Sequence, residues 1–304
     1  MDSGSSSEIA FDCSSFRLYM DGRVERNAHR METTPAGFDP ETGVASKDVV
    51  IDAATGAMVR LYLPPAAQAG AAATTANNKL PIIVFFHGGY FIVGSSAEPM
   101  YHRYVNSLVA RTGAVAVSVE YRLAPEHRLP AAYDDCWAAL RWAVSGADPW
   151  LADHGDLARV FLVGVSAGGN VVHNMAIDLG AGGLPAEAGV EVEAVVQLHP
   201  SFSGQRRMEV EDEVVEDPRI NPTADGAPSL AELGGQRLLV CTASEDPRGP
   251  RARAYCDAVR ASGWRGKAEW FESEGVGHGF FVLEPGSRTA AALMDRVVAF
   301  LAGH

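Results

Sequence analysis

The sequence predicts an α/β fold in which a mostly parallel central sheet carries helices on both faces. Short runs of apolar, often β-branched residues alternate with longer amphipathic stretches from residue 81 to the C-terminus. Apolar runs of this kind are typical of strands that are buried on both sides, and their alternation with helices is typical of parallel connections. With 304 residues, the chain is long enough to form one such domain around a substantial core.

The N-terminal region precedes this alternation and differs from it in composition. Residues 1–8 are mostly Ser, Gly, Asp and Glu, so we expect them to be disordered. Residues 9–45 contain scattered aromatic residues without a regular period, which indicates a lid segment packed on the domain rather than a layer of sheet. In this interpretation residues 46–304 form a single domain.

The elements of the domain follow from the positions of the apolar runs and of the residues that interrupt them. Strands are predicted at residues 47–52, 58–63, 81–86, 114–119, 160–165, 192–198, 237–243 and 268–271. Helices are predicted at residues 97–111, 130–144, 167–179, 250–262 and 288–301. Pro130 begins the second helix, where its fixed φ suits the first turn. A segment rich in Ala, Thr, Asn and Gly, residues 64–79, is predicted to be a surface loop.

The composition limits the classes of molecule that the protein is expected to bind and the part of the cell in which we expect it. The formal net charge of −13 argues against nucleic acids and anionic membrane surfaces as partners, and solubility is the simplest reason for it. The first eight residues contain no apolar signal region, and no apolar run approaches the roughly 18 residues of a membrane span. We therefore expect a cytoplasmic location, with the nucleus as the alternative.

The four cysteines show no spacing that indicates a metal site or a redox pair. Cys136 and Cys256 fall in predicted helices, Cys241 falls in a predicted buried strand, and Cys13 lies in the N-terminal segment. Reduced, packed thiols are the simplest interpretation of these positions. Because the sequence contains no cluster of metal-ligand residues, we expect no metal and no cofactor.

The pentapeptide at residues 164–168, Gly-Val-Ser-Ala-Gly, directly follows a predicted strand and precedes a predicted helix. A serine between two glycines in this position is typical of a nucleophile elbow, a sharp turn from strand to helix that exposes the serine hydroxyl. Side chains in place of Gly164 or Gly168 would collide with the neighbouring backbone. We therefore predict that Ser166 is a catalytic nucleophile.

A second glycine motif, His87-Gly88-Gly89, follows the predicted strand at residues 81–86. Glycines let the backbone approach a substrate closely, so that N–H groups can bind the negatively charged oxygen formed when a nucleophile attacks a carbonyl. We predict an oxyanion hole made of the N–H groups of Gly88, Gly89 and Ala167, with His87 as a brace of the loop. The two motifs together are far more specific than either alone.

A serine nucleophile needs a general base and a carboxylate that orients this base. In α/β-hydrolases the acid and then the histidine follow the serine, each after a strand. Of the nine histidines, His278 alone lies in a glycine-flanked loop after a strand downstream of a candidate acid. Asp246 and Glu245 compete as the acid, and Asp246 is favoured because Pro247 fixes the chain directly after it. The sequence thus predicts a triad of Ser166, Asp246 and His278.

On these residues the sequence resembles the plant class I carboxylesterases, a branch of the hormone-sensitive-lipase-like α/β-hydrolases. The resemblance extends from about residue 16 to the C-terminus and includes the segments 19–26, 42–48, 121–127 and 217–222. Carried over by position, the family's triad falls on the same three residues. The resemblance implies the α/β-hydrolase fold and the hydrolysis of small carboxylic esters in a pocket roofed by the N-terminal segment.

Three features depart from the pattern of that family. Val165 stands where the family usually has Asp, so other groups must brace the elbow. Tyr90 replaces a third glycine of the oxyanion motif and is expected to crowd the pocket mouth. The segment around residues 203–218 is short and acidic, which indicates a reduced cap and a more open pocket. Candidates for the pocket wall, with ordinary core packing as the alternative, are Tyr101, Tyr104 and Phe202.

Other functions remain open on the sequence alone. Gibberellin receptors resemble the same family, but an apolar residue replaces the triad histidine there, whereas this chain has His278. Hydroxyisoflavanone dehydratases share the scaffold and much of the triad, so a lyase is a second alternative. Val165 and the reduced cap leave an inactive relative as a third. The leading prediction is a serine carboxylesterase that acts on a small-molecule ester.

Overall fold

The computed structural model describes residues 8–68, 79–184, 190–202 and 217–303. The disorder expected for residues 1–8 and the reduced cap expected around residues 203–218 therefore lie almost wholly outside the described residues, as does most of the loop expected at residues 64–79. No helix in the described segments is long and apolar enough to cross a lipid bilayer.

The strands of the described segments include every strand that the sequence predicts for the domain; most ends agree within two residues, but β8 begins five residues earlier than predicted. They are β1 (Ile9–Asp12), β2 (Phe16–Tyr19), β3 (Val24–Arg26), β4 (Ala45–Asp52), β5 (Ala57–Leu63), β6 (Leu80–Phe86), β7 (Val115–Glu120), β8 (Gly155–Val165), β9 (Val192–Leu198), β10 (Arg237–Ala243) and β11 (Lys267–Ser273).

The five predicted helices are also present, together with three short ones. The helices are α1 (Pro65–Gln68), α2 (Pro99–Thr112), α3 (Ala131–Val144), α4 (Pro149–His154), α5 (Ala167–Gly180), α6 (Gly249–Ala261), α7 (Phe280–Leu283) and α8 (Arg288–Leu301). No sequence pattern indicated α1, α4 and α7, because helices of four to six residues contain too few turns to show a helical period.

Eight strands form the central sheet in the order β11-β10-β9-β8-β6-β7-β5-β4. The strands from β11 to β7 pair in parallel, whereas β5 pairs with β7 and β4 pairs with β5 in the antiparallel direction. The predicted α/β class with a mostly parallel sheet is confirmed. Parallel pairing places the carboxyl ends of β6, β8, β10 and β11 at one edge of the sheet, which is where ligands bind in open α/β sheets.

The two faces of the sheet belong to two separate hydrophobic clusters. Along β6, Val84 and Phe86 belong to one cluster and Ile83 and Phe85 to the other, because successive side chains of a strand point to opposite faces. Residues of α3, α5 and α6 pack in the first cluster, and residues of α2 and α8 pack in the second. Burial on both faces explains why the central strands are apolar at almost every position.

The segment at residues 9–45 contains a structure that the sequence analysis did not predict. β1, β2 and β3 form a separate antiparallel sheet, so the expectation that this segment contains no layer of sheet was wrong. Strands of three or four residues are too short for their alternation to be recognised. Arg26 ties this sheet to the domain, since it donates to the carbonyl oxygens of Ile92 and Ala124 and pairs with Glu126. A lid function of the segment stays a prediction.

Gly168 lies where the start of α5 passes the end of β6. A Cβ atom on Gly168 would lie 2.0 Å from the carbonyl oxygen of Phe86, so Gly168→Ala should lower the free energy of unfolding by about 1–3 kcal/mol. Gly37→Ala is the matched control, because its Cβ would meet no atom within 4 Å, and it should change this free energy by less than about 0.5 kcal/mol. Urea unfolding measures both free energies. If Gly168→Ala were as stable as Gly37→Ala, the close approach of Gly168 to the backbone of Phe86 would be contradicted.

Candidate active site

Ser166 occupies the single position between the end of β8 and the start of α5. Its φ of 53° and ψ of −111° lie in a region that residues with a side chain rarely adopt, which is the strained geometry of a nucleophile elbow. The turn also requires glycine before the serine, since a Cβ atom on Gly164 would lie 2.1 Å from the carbonyl oxygen of Gly168. The sequence prediction of a sharp turn at residues 164–168 agrees with this geometry.

Backbone hydrogen bonds hold the elbow in place. The N–H of Ser166 donates to the carbonyl oxygen of Leu198 at 2.9 Å, and its own carbonyl oxygen accepts from the N–H of Ser201 at 3.0 Å. Val165 is 2% exposed and packs in the hydrophobic cluster formed with α2 and α8. The elbow is therefore braced by main-chain bonds to the end of β9 and to the residues just after it, and an apolar side chain stands at the position where the resembling family is expected to have Asp.

The three residues predicted as a triad come together at the carboxyl edge of the sheet. His278 lies between β11 and α7, and its Nε2 is 2.9 Å from the Oγ of Ser166. Its Nδ1 is 2.7 Å from the Oδ2 of Asp246, which follows β10. A serine, an imidazole and a carboxylate linked in this order form the arrangement that transfers a proton away from an attacking hydroxyl.

The carboxylate of Asp246 is buried and surrounded by N–H donors. Burial alone would favour its neutral form, but hydrogen bonds from His199 and His278 and from the backbone N–H of Arg248 outweigh burial and hold the pKa of Asp246 well below its usual range. The carboxylate is thus ionised at neutral pH. Glu245, the competing candidate for the acid, is exposed.

The loop after β6 brings its glycines to the same edge of the sheet. His87 is buried and stacks on Tyr121, with ring centroids 4.1 Å apart, and the Tyr121 hydroxyl donates to the carbonyl oxygen of His87. This packing is consistent with the predicted bracing role of His87. Gly89 has a φ of 122°, and a Cβ atom there would lie 1.9 Å from the carbonyl oxygen of Val93, so only glycine fits.

The three predicted oxyanion donors have different surroundings. Gly89 lines the cavity in front of Ser166. The N–H of Ala167 stands at the start of α5, where backbone N–H groups have no partner within the helix. Gly88 lies against Tyr101, because a Cβ atom on Gly88 would be only 2.9 Å from the Tyr101 hydroxyl oxygen, a close approach that no sequence pattern indicated. The functional role of each donor stays a prediction.

A cavity of about 450 Å³ opens in front of Ser166. Its lining includes Gly89, Tyr90, Tyr101, Ser166, Arg248 and His278, together with Ser15, His29 and Arg30 of the N-terminal segment. A second cavity, of about 490 Å³, is lined by neither Ser166 nor His278, so the convergent polar groups rather than the volume identify the site.

The aromatic candidates for the pocket wall separate in the structure. Tyr101 lines the cavity, whereas Tyr104 packs against Phe281 and Phe202 packs against Tyr255. Tyr90 lines the cavity as expected, and its hydroxyl accepts a hydrogen bond from Arg248. Arg248 and His199 were not predicted from the sequence, because their approach to the site depends on how the loops after β9 and β10 fold.

Among the described residues, one group of potential metal ligands is close enough to bind an ion, namely His199, Asp246 and His278, whose ligand atoms lie within 4.8 Å of one another. Both imidazoles direct Nδ1 at the same oxygen, Oδ2 of Asp246. That geometry is typical of N–H···O hydrogen bonds, and an ion would have to displace both of them. The arrangement favours acid–base chemistry.

Sequence comparison identifies relatives over nearly the whole chain. A profile described as alpha/beta hydrolase fold matches residues 83–215. Tuliposide A-converting enzyme 1, chloroplastic, of Tulipa gesneriana is 42% identical over 98% of this chain and 79% of that protein. The 2-hydroxyisoflavanone dehydratase of Glycyrrhiza echinata is 37% identical over 94% of this chain and 93% of its own length. Probable carboxylesterase 2 of Arabidopsis thaliana is 36% identical over 93% of each chain.

Solved structures of esterases share the fold. A thermostable carboxylesterase cloned from a metagenomic library is 25% identical, with a TM-score of 0.68 over 90% of this chain and 92% of that chain. A hyperthermophilic esterase of the archaeon Pyrobaculum calidifontis is 25% identical, with a TM-score of 0.66 over 84% of each chain. The cytoplasmic or nuclear location expected for this chain stays a prediction, since none of these comparisons tests it.

The lowered pKa of Asp246 predicts how stability depends on pH. Because the folded-state pKa lies below the unfolded value of about 3.9, the ionised carboxylate stabilises the fold above pH 4 or so, and this contribution is lost as the pH falls toward the folded-state pKa. Asp246→Asn should therefore destabilise the protein at pH 7, and the difference from wild type should shrink below about pH 4.

Urea unfolding at a series of pH values measures this difference. Glu245→Gln, which alters the adjacent exposed carboxylate, serves as the control and should follow the wild-type curve. If the free energies of unfolding of wild type and Asp246→Asn differed by the same amount from pH 7 down to pH 3, the hydrogen bonds assigned to the Asp246 carboxylate would be contradicted.

Proposed function

Because the chain belongs to the hormone-sensitive-lipase-like plant α/β-hydrolases, we propose that it is a serine carboxylesterase that hydrolyses small carboxylic esters. The observation that carries the proposal is the continuous hydrogen-bonded chain from the Oγ of Ser166 through His278 to Asp246. Esterases among the similar solved structures support the same class of reaction.

Acylation begins when the Oγ of Ser166 attacks the ester carbonyl while Nε2 of His278 takes the hydroxyl proton. The N–H groups of Gly88, Gly89 and Ala167 stabilise the negative charge that develops on the carbonyl oxygen. His278 then gives the proton to the departing alcohol, and an acyl group remains on Ser166. In the second half of the reaction His278 activates water, which hydrolyses the acyl-enzyme and returns Ser166 to its free form.

Asp246 acts on the imidazole rather than on the substrate. Its Oδ2 accepts a hydrogen bond from the Nδ1–H of His278, so that Nε2 faces Ser166 without a proton and is ready to accept one. Because the carboxylate is ionised and buried, it also stabilises the imidazolium that forms during attack. The reaction as proposed uses these protein groups and water, without a cofactor.

The size and lining of the cavity support a small substrate. A volume of about 450 Å³ corresponds to a ligand at the lower end of the range for small-molecule sites. Tyr90 and Tyr101 offer apolar ring surface, whereas Arg248 and His29 offer polar contacts at the wall. A substrate panel should therefore begin with short-chain esters and include tuliposide A, because of the likeness to the tulip enzymes.

A lyase is the second candidate, favoured by the 37% identity to a 2-hydroxyisoflavanone dehydratase. Elimination of water needs a base near the reacting carbon but no acyl-enzyme. His278 could act as that base, and Ser166 would not need to attack the substrate. The strained elbow places the Ser166 hydroxyl against His278, which is the arrangement that covalent catalysis uses. This difference favours ester hydrolysis.

Replacing the nucleophile tests the proposal. Ser166→Ala should lower kcat for p-nitrophenyl acetate by at least about a thousandfold, since an acyl-enzyme can no longer form. Ser201→Ala, at a neighbouring serine whose backbone N–H rather than hydroxyl braces the elbow, is the matched control and should keep most of the activity. Equal rates for wild type and Ser166→Ala would refute the assignment.

Assays of both reactions with the same protein preparation distinguish an esterase from a lyase. Incubation of the wild-type protein with 2-hydroxyisoflavanone should give no isoflavone above the uncatalysed rate, while short-chain esters are hydrolysed by the same preparation. Isoflavone formation that persists in Ser166→Ala would support elimination and contradict the esterase proposal.

A further inference from the structure

His199 is a buried histidine beside the site that the mechanism above does not use. It follows β9 directly, is 1% exposed and has a φ of 51°. Its N–H donates to the carbonyl oxygen of Cys241 at 2.8 Å. A positive φ is uncommon for a residue with a side chain and persists only where the surroundings impose it, often at functional sites.

The ring of His199 contacts two groups that adjoin His278, the proposed base: the carboxylate of Asp246 and the backbone of Gly279. Its Nδ1 lies 3.2 Å from the Oδ2 of Asp246, the same oxygen that His278 uses. The same nitrogen lies 3.3 Å from the backbone nitrogen of Gly279, the residue directly after His278. The two imidazoles meet edge to face, with ring centroids 5.5 Å apart.

The partners of His199 determine where its proton lies. Burial lowers the pKa of His199, so the ring is neutral and carries one proton. Asp246 requires a donor at Nδ1, whereas the N–H of Gly279 requires an acceptor at the same atom, and one nitrogen cannot serve both. We assign the proton to Nδ1, because a bond to an ionised carboxylate is the stronger of the two. Nε2 is then an acceptor, and it has no partner among the described residues.

We propose that His199 is a positioning residue, which shares the carboxylate of Asp246 with His278 and thereby holds the imidazole of His278 in front of Ser166. The inference rests on the proposed esterase function. With His199, His278 and the N–H of Arg248 as donors, the carboxylate is fixed from three directions. If the carboxylate cannot rotate, its Oδ2 continues to accept the hydrogen bond from Nδ1–H of His278. This bond keeps the proton on Nδ1 and leaves Nε2 free to act as the base, as the reaction requires.

Three substitutions separate this role from simple core packing. His199→Phe keeps a ring between His278 and Phe281 but has no donor. His199→Asn places an amide N–H near the position of Nδ1 and tolerates a positive φ. His199→Gly accepts the backbone conformation without strain and has neither ring nor donor, so it tests the loss of the donor if the Phe variant does not fold. His173→Phe, at another buried histidine bonded to Tyr255, is the control.

The direct readout is the position of the imidazole protons, measured by ¹⁵N–¹H correlation spectra of protein labelled with ¹⁵N in histidine, with His278→Gln used for assignment. In wild type, His199 and His278 should both be the Nδ1–H tautomer. His199→Phe and His199→Gly should give His278 as a mixture of tautomers. His199→Asn and His173→Phe should keep the Nδ1–H form of His278.

The kinetic readout is the separation of kcat from KM with p-nitrophenyl acetate. His199→Phe should lower kcat roughly tenfold with little change in KM, as expected for a misplaced base, and His199→Asn should recover most of the loss. The spectra can be read even if the wild type hydrolyses no ester, so failure of the esterase proposal is distinguishable from failure of this one. An Nε2–H tautomer of His199 in wild type, or an unchanged tautomer of His278 in His199→Phe and His199→Gly, would overturn the proposal.

Discussion

The buried carboxylate of Asp246 is the interaction on which the rest of the site depends. A buried charge is tolerated only where donors replace the water it has lost. Here the donors come from His199 after β9, from His278 after β11, and from the backbone of Arg248 just before α6. Three loops at one edge of the sheet therefore converge on a single side chain, and the position of the base follows from this convergence.

The turn at Ser166 places a second constraint on the same edge. Gly164 and Gly168 allow the chain to turn within one residue, and backbone bonds from residues 198–201, at the end of β9 and just after it, hold Ser166 at a positive φ. The same segment carries His199. The nucleophile and the acid are thus both fixed by residues 198–201, which couples the two ends of the hydrogen-bonded chain. This coupling explains how the elbow keeps its shape with Val165 in place of a carboxylate.

The strands and the triad could be predicted because their signals are local or depend on chain order. Apolar runs such as residues 160–165 identify buried strands, and the glycines around Ser166 identify a sharp turn. The sheet of β1, β2 and β3 was missed because strands of three or four residues carry no detectable period. The position of His199 and the close approach of the Tyr101 hydroxyl to Gly88 were missed for another reason. Both depend on where separate loops meet in three dimensions, and no spacing in the sequence records this.

The proposed esterase function requires Ser166 to be a nucleophile that His278 activates. Labelling with a fluorophosphonate, followed by mass spectrometry of the peptides, tests it most directly because the reagent bonds to an activated serine hydroxyl. We expect a single adduct on Ser166 that forms in wild type and is lost when His278 is replaced by Gln. An adduct on another residue, or none in the folded wild-type protein, would contradict it.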